Sequence, residues 1–134
     1  MFSGLTPLFS FSFFGKTRKI DQLNYALREA GIHPALVPDS VLYTIVKLLR
    51  NSQYNTTGGD LHSIATLIAY IMLSKRAQIY IDNPKEASSI EYRIENALNK
   101  ENNFDSQIIL LAFHANLIHP EVINEFNISI SKLD

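Results

Sequence analysis

From Leu61 to Leu73 the chain runs thirteen residues without an Asp, Glu, Lys or Arg. Apolar side chains occur nearly all round a helix drawn through it: Leu61, Ile64, Ala65, Leu67, Ile68, Ala69, Ile71, Met72 and Leu73. A helix that is apolar on every side belongs either inside a domain or in lipid. Crossing a bilayer takes about 20 apolar residues, and Lys75 and Arg76 close this stretch well before that length. The segment therefore predicts a central buried helix from Leu61 to about Ile79, with Asp60 as its N-cap.

Such a helix needs partners with one oily face each, and the rest of the chain supplies them. Ile20, Leu23, Leu27 and Ala30 recur at spacings of three and four, predicting a helix from about Arg18 to Ala30. Gly31 sits where a left-handed stop is wanted, and Ile32 can pack back on Leu27. Pro34 and Pro38 then force a connector. Val41, Leu42, Ile45, Leu48 and Leu49 give the segment from Ser40 to Arg50 a broad apolar side, with Asp39 as its N-cap. Residues 51–59 are the longest polar interruption and read as a loop.

Asn83-Pro84-Lys85-Glu86 combines an N-cap, a proline at the first helical position and a glutamate three residues after the cap. The helix it starts runs to about Lys100, with Ala87, Ile90, Ile94, Ala97 and Leu98 along one face. Another helix is expected from Ser106 to about Leu117, and a last one from Pro120. The alternation in residues 127–131 leaves strand and helix both open for the tail. The segments Ile32-His33-Pro34 and Ile118-His119-Pro120 echo each other. An aliphatic residue, a capping His and a proline at the first helical position form the start of a stapled helix. The flanks differ, which points to repeated local chemistry, not to a duplicated unit.

The sum is an all-α fold: a small five- or six-helix bundle with a central hydrophobic helix. Its 134 residues suit one domain. The balance of 46% hydrophobic and 19% charged residues is that of a globular chain. With no cysteine there is neither a disulfide framework nor thiolate chemistry. A reducing compartment, the cytoplasm, is the expected location.

Residues 1–17 stand apart as an N-terminal hydrophobic arm, before a helical domain over 18–134. The first fifteen residues are uncharged and hold five of the eight phenylalanines. Phe9, Phe11 and Phe13 alternate with Ser10 and Ser12, which favours extended chain, although Phe2, Leu5 and Phe9 also share a helical face. No basic residue precedes the apolar stretch and Pro7 interrupts it, unlike a secretory signal. Lys16, Arg18 and Lys19 follow directly. Charge is uneven over the whole chain: residues 1–50 carry six Lys or Arg against three acids, and residues 82–134 carry four against nine. Mutual attraction or plain solvation accounts for that most simply. The sharper reading is a basic front facing an anionic partner.

Several motifs fail when tested against the chemistry they would have to perform. Gly15-Lys16-Thr17 ends like a phosphate-binding loop, but Ser10 stands where that loop needs its first glycine. A helix-turn-helix over Leu23–Val46 would have no Lys or Arg from Glu29 to Val46, and two prolines would cut its reading helix. His114 and His119 are five apart, not the four that puts two zinc ligands on one helical face. Glu91 and Glu95 share a face, yet no Glu-x-x-His exists to complete a di-iron set. Pairing with Arg93 or neighbouring lysines, or plain solvation, suits them better. Thr56-Thr57-Gly58-Gly59 could offer amides to an anion, but Asp60 would take those amides itself.

The residues singled out for contact are therefore Phe9, Phe11, Phe13, Phe14, Lys16, Arg18 and Lys19, an apolar tip with a basic collar. No catalytic, cofactor or metal residue is assigned, and neither nucleic acid nor a small-molecule substrate is expected. The leading expectation is a non-enzymatic protein-interaction module of the adaptor, chaperone-like, immunity or scaffold kind, binding another protein or itself. The first alternative is a peripheral membrane protein at the inner face of a membrane, inserting the phenylalanines. The second is an enzyme whose site the sequence does not reveal.

Overall fold

The computed structural model describes residues 6–51, 58–99 and 104–129, with the side chains of residues 6–17, 34, 51 and 58–60 outside that description. Seven α-helices and two 3-10 turns make up the described chain, and no strand occurs among these residues. In chain order the helices are α1 (Thr6–Glu29), α2 (Asp39–Asn51), α3 (Gly58–Leu73), α4 (Gln78–Asp82), α5 (Pro84–Asn99), α6 (Phe104–His114) and α7 (Pro120–Phe126). The 3-10 turns are Pro34–Leu36 and Ser74–Arg76.

Helix α3 packs against α1, α4, α5 and α6. Eight consecutive residues, Ile64 to Ile71, are each at most 3% exposed, which covers every direction around the helix axis. Thr66 is one of two hydroxyls in that run, with Tyr70, and it donates to the Ser63 carbonyl at 3.0 Å. The neighbours bring the stripes expected of them. Leu23 and Leu27 of α1, Ile90 and Ile94 of α5, and Ile108 and Ile109 of α6 are all essentially inaccessible. Leu42 and Ile45 of α2, which packs on α1 and α6, are equally buried. Each such side chain contributes about 1.5–3 kcal/mol of burial.

Helix ends account for most differences from the sequence reading. At Gly31 the stop is the expected one. Its φ is +100°, the Ile32 amide donates to the Leu27 carbonyl at 2.8 Å, and the Gly31 amide donates to Arg28 at 3.1 Å. Two asparagines repeat the device. Asn116 (φ 61°) closes α6, with the Leu117 amide on Ala112 at 2.9 Å. That places the end at His114, short of the expected Leu117. Asn127 (φ 52°) closes α7, with the Ile128 amide on Ile123 at 3.0 Å. Of the ambiguous tail, 127–129 is neither helix nor strand, and Ile128 returns to the core at 5% exposure. Residues 130 and 131 lie outside the described chain.

The helix expected from Leu61 to Ile79 is instead two helices, which raises the count to seven. Ser74 is buried with φ 58°. The Ile71 carbonyl, which a continuing helix would use, accepts the His119 amide at 2.7 Å, and the Ser74 hydroxyl donates to Glu121 Oε1 at 3.2 Å. A tertiary contact thus takes over the hydrogen bond that helix propagation needed. The start of α3 is also earlier than expected, at Gly58, which puts Asp60 inside its first turn. Helix α2 begins on the Pro38 carbonyl, which accepts from Val41 at 3.0 Å, so Asp39 is its first residue and not its cap.

Helix α1 is the largest correction. Its backbone is helical from Thr6, where the period-two pattern of phenylalanine and serine favoured extended chain. An extended segment needs a strand to pair with, whereas a helix satisfies its own amides. The expectation that began the helix at Arg18 is revised accordingly.

The strain at Gly31 can be measured. An added Cβ would stand 3.3 Å from the Gln78 Cβ, on a backbone that side chains rarely adopt. Gly31→Ala is expected to lower unfolding stability by about 1–2 kcal/mol, read as a lower denaturant midpoint at unchanged slope.

Candidate functional site

Of the seven residues singled out for contact, all lie within α1. The side chains of Phe9, Phe11, Phe13, Phe14 and Lys16 lie outside the described residues. Arg18 is exposed and Lys19 is half-buried. Helix α1 thus joins the phenylalanine-rich segment to the core through one continuous backbone, held by Leu23 and Leu27.

Several polar groups of the helical body are engaged by nearby residues or by another helix. The two His-Pro sequences do what their spacing predicted. His33 Nδ1 accepts the Ala35 amide at 3.1 Å, and His119 Nδ1 accepts the Glu121 amide at 3.0 Å. Each ring thereby caps the turn or helix that its proline opens. Both Nδ1 atoms are acceptors in this geometry, so the neutral rings carry hydrogen on Nε2. Asn83 caps α5 as expected, its Oδ1 accepting the Glu86 amide at 3.2 Å. His62 Nε2 lies 3.3 Å from Glu86 Oε1, an exposed pair joining α3 to α5. His114 makes an edge contact with Phe113, ring centroids 6.3 Å apart. The four histidines thus serve separate local purposes. Among the described residues no three His, Cys, Asp or Glu side chains come together as a metal-binding group.

Arg93 and Glu91 behave differently from the expected pairing along α5. The Arg93 guanidinium spans Asp105 on α6 with two bonds, Nε to Oδ2 at 3.0 Å and Nη2 to Oδ1 at 2.8 Å. Its third arm donates to the Ser63 carbonyl of α3 at 3.1 Å. A planar fork with two parallel bonds fixes orientation as well as charge, and here one side chain fastens three helices. Glu91 accepts instead from the Tyr70 hydroxyl at 2.6 Å. Tyr70 is the largest fully buried side chain, and Tyr80 packs beside it with ring centroids 6.5 Å apart. Burial first, and then the bond to and charge of Glu91, push the Tyr70 phenol well above its ordinary value.

No family model matches the chain, and neither a curated protein nor a solved structure matches it.

The sequence reading did not single out Tyr70, Asp105 or Ser63. A signal existed for the first: Tyr70 is the one aromatic hydroxyl in an otherwise apolar block, and a buried phenol needs an acceptor. For Asp105 and Ser63 no signal existed, because the Ser63 contact is through its backbone carbonyl and the α5–α6 juxtaposition is tertiary.

The Tyr70 environment gives a pH prediction. The folded phenol holds its proton above the value of the unfolded one, near 10. The unfolded state therefore binds fewer protons above that pH, and stability falls as pH rises through it. Wild type is expected to lose about 1.4 kcal/mol more per pH unit than Tyr70→Phe above roughly pH 10. Urea unfolding curves at several alkaline pH values check this, and equal slopes would contradict it.

Proposed function

We propose that this protein is a non-enzymatic interaction module: an all-helical body, arranged as a bundle around α3, that carries a phenylalanine-rich helical segment to a protein partner. The observation that carries this reading is the joining of an uncharged segment with five phenylalanines in fifteen residues to a helix anchored in the core. Phenylalanine is a large and stiff apolar side chain, and each one buried against a partner contributes about 1.5–3 kcal/mol. The use of Arg93, Asp105, Tyr70 and Glu91 in holding helices together, and of the His33 and His119 rings as local caps, supports it further.

The membrane alternative draws on Lys16, Arg18 and Lys19 behind the phenylalanines, the combination that attaches peripheral proteins to anionic lipid. No described helix is long and apolar enough to cross a membrane. Surface attachment and protein binding make different demands on the same segment, so one experiment separates them.

Affinity capture is compared between the full chain and a chain lacking residues 1–15. The shortened chain is expected to keep its cooperative melting transition and to lose its protein partner. Loss of the transition would show the segment to be part of the core. Flotation of the full chain with phosphatidylserine vesicles at low salt, and its abolition by the deletion, would favour the membrane reading instead.

A further inference from the structure

Four residues of the described chain are left-handed: Gly31, Ser74, Asn116 and Asn127. Glycine takes that conformation freely, and asparagine more readily than most residues with a side chain. Ser74, with φ 58°, is the one whose residue type does not favour it. The same junction departs from helix a second time at Ala77, with φ −61° and ψ 139°. Alanine has the highest helix propensity of any residue. From Leu61 to Asp82 the chain contains neither glycine nor proline. Nothing local therefore calls for a break between α3 and α4.

The break is held from outside, by the turn that opens α7. The His119 amide donates to the Ile71 carbonyl at 2.7 Å, and the buried Ser74 hydroxyl donates to Glu121 Oε1 at 3.2 Å. The His119 ring accepts the Glu121 amide at 3.0 Å, so both ties leave from one capped turn. Beyond the break, Ala77 and Ile79 are buried, and α4 packs back on α3 and α5. In a straight helix α4 would run on past Leu73, clear of α3. Helix α4 also closes against the end of α1, where a Cβ on Gly31 would stand 3.3 Å from the Gln78 Cβ. The junction thus connects α7 to the helix that carries the phenylalanine-rich segment.

We propose that α7 is a latch on a two-state junction: docked, it holds α3 and α4 apart, and released, it lets them join into one helix from Gly58 to Asp82. Joining returns Ser74 and Ala77 to the backbone that their residue types favour, and gives the Ile71 carbonyl the amide of Lys75 in place of that of His119. The burial of Ala77 and Ile79 acts with the latch to keep the junction broken. Helix α7 is suited to release, since Val122 is the one buried residue among its seven. The device does not depend on what the phenylalanine-rich segment binds.

Distances between two spin labels on the full chain test it. The chain has no cysteine, so His62→Cys and Ile81→Cys, both at exposed positions, supply the two labelling sites. A continuous helix would set these backbone positions about 28 Å apart, and the folded-back junction holds them closer. The labelled chain is expected to show one short distance. Adding Ser74→Ala, His119→Pro and Glu121→Ala removes both ties, and proline fits the φ of −61° at His119. A second distance near that of the continuous helix is expected to appear and to become the larger population. Ser74→Gly in place of Ser74→Ala again supports the left-handed turn, and is expected to lower the ratio of joined to broken form about fivefold. His119→Pro alone is expected to show the same second distance at a smaller share, and decides the matter if the triple variant fails to melt cooperatively. A single short distance in the folded variants, a long population indifferent to Ser74→Gly, or a long distance already dominant before the ties are removed would overturn the proposal.

Discussion

Between Ile64 and Ile71 helix α3 has no side that meets water, and that requirement shapes everything placed around it. A helix of this kind cannot sit at the edge of a fold. Each neighbour must present a stripe, and the stripes must arrive from several directions. Leucines from α1 and isoleucines from α5 and α6 meet that need. Thr66 and Tyr70, polar groups inside this shell, each have a partner, whereas the buried Oδ1 of Asn24 on α1 has none among the described residues. Thr66 bonds back to its own helix, and Tyr70 reaches the Glu91 carboxylate. An unpaired hydroxyl in either place would cost about 1–3 kcal/mol.

The packing of oily faces leaves helix rotation and tilt loosely determined, since apolar contacts have little direction. Directional bonds at the margins of the core supply what is missing. Arg93 ties α5 to α6 and to the start of α3, while Ser74, Glu121 and His119 tie the end of α3 to α7. Three left-handed residues, Gly31, Asn116 and Asn127, stop helices so that the following aliphatic residue turns back onto the protein. The same small vocabulary is used repeatedly: a left-handed stop, a His or Asn cap, and a proline at the first helical position. It is also why the two His-Pro segments look alike without any wider repeat.

Local chemistry was readable in the residues because local chemistry caused it. The Gly31 stop, the Asn83 cap and the His-Pro starts each depend on residues within one turn of one another, and all three follow from spacing alone. The core stripes followed from periodicity for the same reason. What escaped was decided across the fold. Nothing near Ser74 announces that His119 will claim the Ile71 carbonyl, so the break between α3 and α4 was invisible. Arg93 was assigned to its neighbours on α5 because the approach of Asp105 is a tertiary event. In residues 6–17 two periodicities competed, and the pattern of alternating phenylalanine and serine was the weaker guide to the backbone. The contact residues were chosen by composition, so the sequence placed Arg18 in a basic collar.

A fold organised by one enclosed helix should open there last. Native-state amide hydrogen exchange reads this directly, residue by residue. The amides of Ala65 to Ile71 are expected to exchange only through global unfolding, with the highest protection in the chain, while those of the short helix α7 exchange through smaller openings. Protection in α3 no greater than in α7 would contradict the account, because the enclosing helices would then part without unfolding the protein.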